Sequence, residues 1–192
     1  KDLGTSNTVV ATATGGRVDV VRVRQRTTLS TVESLELFPS CAYARDPSEG
    51  EIEPALGETD EWILGEAARR RGREAPTRLA ASSKSWVGHA RVDKRAPILP
   101  WGAEDGPKLS PVDVAARILD RVRCAWNADH PELPLERQDV VLTVPASFDE
   151  VARELTLEAA HRAGLVVRLL EEPQAAFYAS MPFRGLAEAG VR

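Results

Sequence analysis

Cysteine is scarce in this sequence. Cys41 and Cys124 are the two present, far apart and outside any Cys-x-x-Cys or Cys/His spacing, which argues against a disulfide scaffold or a thiolate zinc centre. A reducing compartment, the cytoplasm, is therefore expected. Excess positive charge is also lacking. Lys plus Arg number 25 against 29 Asp plus Glu, a formal net charge of -4, so no broad basic field draws nucleic acid or anionic lipid, and neither is expected as a partner. No run approaches the roughly 20 apolar residues that a membrane helix needs, and no charged-then-apolar leader opens the chain. Internal repeats and low-complexity tracts are absent. No G-x-G-x-x-G follows a first strand, which sets aside a Rossmann dehydrogenase. His89, His130 and His161 are scattered without metal-ligand spacing or a paired nucleophile, and surface or helix roles are assigned to them.

What is present is a chain of 192 residues, 43% hydrophobic, long enough to bury a core in one domain or two small lobes. It opens inside a motif, Lys1-Asp2-Leu3-Gly4, with no apolar strand ahead of it, so missing upstream sequence is expected. Thr8–Thr14 and Val18–Val23 read as two strands separated by Gly15-Gly16, a dipeptide suited to the positive φ of a tight hairpin. An antiparallel meander is expected.

The pattern from about Ser34 to Pro107 is broken: a short apolar run at Leu37–Tyr43, an acidic Pro/Gly-containing stretch over Asp46–Asp60, Trp62-Ile63-Leu64, then Arg-rich segments. It reads as an inserted subdomain. A helix follows, with Ser110 as N-cap, Pro111 at the first helical position, and Val112, Ala115, Ala116, Leu119, Val122 and Trp126 on one face.

Val140–Val144 is a β-branched run without polar alternation, which predicts a strand buried on both faces and stopped by Pro145. Ser147-Phe148-Asp149-Glu150 has capping-box spacing, opening a helix through Val151, Leu155, Ala159 and Ala163 that ends at Gly164. A strand over Val166–Leu170 and a helix from Glu172-Pro173 through Ala179 complete the pattern. Strand, helix, strand makes a βαβ unit with parallel strands, hence an α/β layer.

Asp2-Leu3-Gly4-Thr5-Ser6-Asn7-Thr8 lies at the turn leading into the second strand. Gly4 lets backbone approach a ligand, backbone N–H groups and the Thr5 and Ser6 hydroxyls can donate to phosphate oxygens, and Asp2 can hold a hydrated divalent cation. A polar β-turn would look the same in isolation.

This heptapeptide resembles the first phosphate loop of the actin, sugar-kinase and heat-shock chaperone superfamily. Val144-Pro145-Ala146-Ser147-Phe148, Arg153, Thr156, Ala163-Gly164-Leu165, Glu172-Pro173 and Ala175-Ala176 resemble, with spacing preserved, the corresponding segment of the DnaK-type heat-shock protein 70 chaperones. Shorter matches are Phe38-Pro39-Ser40, Gly65-x-x-Ala68-Arg69 and Lys84-x-x-Val87-Gly88.

The resemblance implies an actin-like ATPase (ribonuclease H-like) fold. Residues 1–33 and 108–192 would form the core of lobe I, with 34–107 inserted and lobe II and any substrate-binding domain lying elsewhere. It implies ATP or ADP as ligand and Mg2+ as cofactor. Gly4, Thr5, Ser6 and Asn7 would contact the phosphates and Asp2 would hold the magnesium through water. Glu172 and a cation at position 69 would serve hydrolysis, while Pro145, Arg153 and Glu172 would relay nucleotide state to a peptide-binding domain. Implied partners are unfolded client polypeptides, a co-chaperone and a nucleotide exchange factor, in protein folding and the stress response.

Two departures bear on activity. The family's lysine in G-x-x-A-K is Arg69 here, and a planar guanidinium does not substitute for an ammonium at a tight phosphate site, so slow hydrolysis is expected. The second phosphate loop belongs to the other lobe, so residues 1–192 alone are expected to be inactive. The rival readings within the superfamily are a bacterial cell-shape actin and a sugar kinase. Phe148, Thr156 and the long 34–107 segment favour the chaperone over the first, and the Glu171-Glu172-Pro173-Gln174-Ala175-Ala176 block favours it over the second.

Overall fold

The computed structural model describes residues 2–49, 61–89 and 91–180. Lys1 and most of the acidic Asp46–Asp60 stretch lie outside the described residues. Chain order begins β1 (Asp2–Leu3), β2 (Asn7–Thr14), β3 (Arg17–Val21), β4 (Val23–Arg26), β5 (Val32–Leu35), β6 (Phe38–Pro39), β7 (Cys41–Ala44) and β8 (Trp62–Leu64). It continues with α1 (Glu66–Glu74), β9 (Leu79–Ala81), α2 (Ser83–Val87), α3 (Pro111–Asp129), β10 (Val140–Val144), α4 (Glu150–Arg162), β11 (Val167–Glu171) and α5 (Glu172–Ser180).

The main sheet runs β11-β10-β1-β2-β3, with β6 also paired to β2. Strands β1, β2 and β3 are antiparallel, the expected meander, and Gly15 and Gly16 turn the β2–β3 hairpin at φ 57° and 81°. β10 pairs in parallel with both β1 and β11. The expected single strand over Val18–Val23 is instead two. β3 stays exposed beside β2, and after Arg22 the chain leaves that sheet so that β4 can bury Val23, Gln25 and Arg26 and pair with β5. Within 34–107 a separate three-stranded sheet, β8-β7-β9, carries α1.

α3 begins as its sequence dictates. Asp113 N–H donates to Ser110 Oγ at 3.0 Å, the Asp113 carboxylate accepts from Ser110 N–H at 3.2 Å, and Pro111 occupies the first turn. Its buried face is wider than one amphipathic stripe, because Val114, Ile118 and Ala125 are covered in addition to Val112, Ala115, Leu119 and Val122. The helix meets α4 and α2 as well as β4. Burial of each large aliphatic residue there stabilises by about 1.5–3 kcal/mol.

β10 buries Val140, Leu142 and Val144 fully and leaves Val141 and Thr143 half-buried. One face is therefore core, and the other is only partly covered. α4 is capped by Asp149, whose carboxylate accepts from Ala152 N–H at 2.8 Å. The expected cap, Ser147, lies in a turn closed by Phe148 N–H on the Pro145 carbonyl at 3.1 Å, which delays the helix by two residues. Gly164, at φ 73°, ends the segment as expected. β11 starts at Val167, one residue later than predicted.

Candidate phosphate-binding site

The adjacency of β1, β10 and β11 brings three C-terminal strand ends together. Asp2 is opposite Thr143, and Val144 is opposite Glu171, immediately before Glu172. In an open α/β sheet this edge is where ligands bind.

The loop from Gly4 to Asn7 leaves β1 at that edge. Gly4 N–H donates to the Asn7 carbonyl at 3.0 Å, closing a tight turn, and a Cβ built on Gly4 would stand 2.4 Å from the Asn7 carbonyl oxygen. Only glycine fits there. Thr5 and Ser6 at the tip are exposed. Behind them β6 pairs with Asn7 and Thr8, Ser40 N–H donates to the Ser6 carbonyl at 2.9 Å, and the buried Thr8 and Ser40 hydroxyls hydrogen-bond at 3.0 Å. The Phe38-Pro39-Ser40 segment thus braces the loop from behind.

Asp2 has a half-exposed carboxylate whose Oδ1 accepts from Thr143 Oγ1 at 2.7 Å. Lys84 of α2 reaches the same place. Its side chain is 7% exposed, its Nζ donates to Glu172 Oε1, and it stands 3.8 Å from Asp2 Oδ1. Leu3, Val87, Ala115, Val144, Phe148 and Leu155 line a small cavity together with Lys84, so the aliphatic stem runs through apolar surroundings while the ammonium emerges at the strand ends.

The structure thus brings Asp2, Gly4, Thr5, Ser6, Asn7 and Glu172 to one edge. Arg153 and Pro145 are neighbours of it. Arg153 Nη2 donates to Glu171 Oε1 at 2.6 Å and its Nε to the Phe148 carbonyl at 3.2 Å, while Pro145 anchors the turn after β10. Arg69 is paired elsewhere. Its guanidinium stands 2.7 Å from Glu66 Oε2, one turn back on α1, with Arg70 at 2.8 Å from the other carboxylate oxygen. Thr143 and the role of Lys84 are absent from the sequence reading. Lys84 stands in a quoted motif, but nothing local marks a lysine whose partners are Glu172, 88 positions away, and Asp2.

Among the described residues, no group of three or more His, Cys, Asp or Glu gathers as a metal cluster, and no helix is long and apolar enough to cross a membrane. The donors suit a polyphosphate and a hard cation held through water: two exposed hydroxyls, a close backbone turn, and the Asp2 and Glu172 carboxylates. Cys41, behind α1, is not part of this chemistry. Burial pushes its thiol up to about 12, against the opposing pull of Arg69.

The sequence pattern of the Hsp70 protein family matches residues 56–180. The chain belongs to the Hsp70 family. It is 32% identical over 189 residues to the chaperone protein HscA homolog of Pasteurella multocida (strain Pm70), covering 91% of this chain and 27% of that protein. It is 34% identical over 189 residues to the chaperone protein HscA of Edwardsiella ictaluri (strain 93-146), with the same two coverages. It is 31% identical over 191 residues to the chaperone protein DnaK of Deinococcus radiodurans, covering 91% of this chain and 26% of that one. The chain thus spans about a quarter of the length of these curated relatives. Hsp70 membership carries with it the actin-like fold, in keeping with the mixed α/β sheet seen here.

Proposed function

We propose that this chain is lobe I of the ATP-binding domain of a DnaK-type chaperone, with residues 34–107 as its inserted subdomain. In this reading ATP binding and hydrolysis are coupled to binding and release of unfolded polypeptide in the cytoplasm, with a co-chaperone and a nucleotide exchange factor as partners. The observation that carries it is the loop Gly4–Asn7 standing beside Asp2 and Glu172 at the carboxyl edge of a parallel β1-β10-β11 arrangement, in a member of the Hsp70 family.

The geometry supports a division of labour. Thr5 and Ser6 offer hydroxyls to phosphate oxygens, and the Gly4 turn keeps backbone close to them. Asp2, held by Thr143, would hold a divalent cation through water, and Glu172 faces the same space. Magnesium bound with the nucleotide would supply the positive charge that the polyphosphate lacks. Arg69 could reach a phosphate only by leaving Glu66, which agrees with the slow hydrolysis expected from its shape. The cell-shape actin and sugar-kinase readings are disfavoured by the family match.

Apolar side chains exposed around the last strand and helix, Val166, Phe177 and Tyr178, support a further lobe packing there. The test is calorimetry with ATP on the full-length polypeptide. Binding that falls at least about tenfold when Thr5 and Ser6 are both changed to Ala supports the reading, at about 1.4 kcal/mol per tenfold. No binding by the wild type, or none of this loss in the variant, overturns it. Residues 1–192 alone are expected to bind ATP weakly, and micromolar affinity for them would move the proposed domain boundary.

A further inference from the structure

Buried ammonium groups are costly unless paired, and Lys84 is the charged side chain most fully buried at the phosphate edge, at 7% exposure. Its ammonium lies between two carboxylates that come from separate strand ends, Glu172 after β11 and Asp2 on β1. Without it, those two anions would repel each other and also repel an incoming polyphosphate. The short helix α2 packs against α3 and α4, and its Val87 lines the same apolar cavity as the Lys84 stem. The head is therefore fixed from behind. Arg69, the cation that the family pattern would place at this site, is committed instead to Glu66.

We propose that Lys84 is the positioning cation of the phosphate site: it holds the Glu172 and Asp2 carboxylates in place and offsets their charge, a task that Arg69 does not perform in this chain. The proposal rests on the ATP-binding reading above for its ligand, and on the observed pairing for its geometry. A compact ammonium suits the task, because its three donors can serve Glu172 while still facing Asp2.

The consequence is a changed dependence on divalent cation. In the wild type, Lys84 supplies positive charge even when magnesium is withheld. In Lys84→Met, which keeps the apolar stem, that charge is gone and magnesium must do more of the neutralising. The experiment is ATP calorimetry on the full-length polypeptide, once with EDTA and once with saturating MgCl2, for wild type, Lys84→Met and Arg69→Ala. The expected result is that Lys84→Met weakens binding in EDTA by at least about tenfold and in saturating magnesium by clearly less, so that the ratio of the two dissociation constants rises several-fold. A purely structural defect would weaken both alike. An unchanged ratio in Lys84→Met, or a rise in Arg69→Ala in its place, overturns the proposal.

Thermal unfolding without nucleotide gives a second reading that needs no ATP. Lys84→Met, Glu172→Gln and the double variant are compared. Loss in the double variant smaller than the sum of the single losses shows the coupling that the proposal requires, and simple additivity overturns it. Should wild type bind no ATP in either buffer, the nucleotide reading fails, and this cycle alone decides whether Lys84 positions Glu172.

Discussion

Arg153 and Glu171 are joined by a 2.6 Å ion pair that ties the first turns of α4 to the last residue of β11, one position before Glu172. The proposed relay from nucleotide to peptide-binding domain would pass through this pair, because any movement of Glu172 pulls on the residue that Arg153 holds. Arg153→Ala in the full-length polypeptide is expected to leave ATP affinity within about threefold while slowing ATP-driven release of bound peptide. Fluorescent-peptide release kinetics beside ATP calorimetry check this. Abolished ATP binding would make Arg153 a support of the site itself rather than a relay.

The proposed phosphate loop gives a sharper expectation. Gly4→Ala places a methyl 2.4 Å from the Asn7 carbonyl oxygen, and that atom is backbone, so the turn must open. The loop is braced by Ser40 and by β6, and relief is therefore local and incomplete. The variant is expected to fold, to lose about 1–3 kcal/mol of stability, and to bind ATP at least about tenfold more weakly. Chemical denaturation and calorimetry on the same sample separate the two effects.

Much of this architecture is legible in the sequence, for identifiable reasons. Val140–Val144, Gly164 and Ser110-Pro111 are local signals, and the strand, the helix stop and the capped start of α3 lie where they point. Ser147 misleads because its spacing to Glu150 fits a capping box, and only the turn from Pro145 to Phe148 decides for Asp149. The break at Arg22 is invisible because β3 and β4 are both strands, and what separates them is a change of partner. The tight turn at Gly4 is readable from its own residues, whereas its reading as a phosphate loop comes from the resemblance. The Lys84–Glu172 and Thr143–Asp2 contacts are not readable, since they join positions 88 and 141 apart, and periodicity carries no information about which distant strand ends will meet.

The core should respond as its burial dictates. Ile118 and Leu119 of α3 are fully covered within the main hydrophobic core. Ile118→Ala is expected to cost about 2–5 kcal/mol, the transfer of the lost methyl groups plus the cavity left behind. Urea unfolding with an unchanged slope would confirm a loss of stability in the folded state, and a cost under about 1 kcal/mol would contradict the burial.

Cys41 makes stability pH-dependent on the alkaline side. Burial raises its thiol from 9.0 to about 12 in the folded protein, so the folded state resists deprotonation. This contribution is fully present below about pH 9 and is lost as pH rises toward 12. At pH 10 the loss is about 1.4 kcal/mol relative to pH 7. In Cys41→Ala the fall in stability between pH 7 and pH 10 is expected to be smaller by about that amount, and an identical fall in both proteins would show that the thiol is not shielded. The same shielding predicts that Cys41 in the native protein resists alkylation at pH 8 and reacts after unfolding.

On α1, Arg69 and Arg70 share the single carboxylate of Glu66. Glu66 is 8% exposed at the side chain, whereas the two guanidinium groups are about half exposed, at 47% and 50%. The anion is therefore the buried member, and its partners are partly in water. Removing one arginine leaves the other in place and leaves the helix N-terminus, which also favours a carboxylate in the first turn. Each single change, Arg69→Ala or Arg70→Ala, is then expected to cost at most about 1 kcal/mol, as for an exposed ion pair. The double change strips Glu66 of both cations while it remains covered by its surroundings, which is the situation in which an ion pair proves expensive to break. It is expected to cost about 2–4 kcal/mol, clearly more than the sum of the single changes. Adding Glu66→Gln to the double variant should recover most of that loss, because the neutral amide needs no cation. Guanidinium unfolding of the four variants measures all of this, and additive losses would mean that Glu66 is hydrated rather than held by its two arginines.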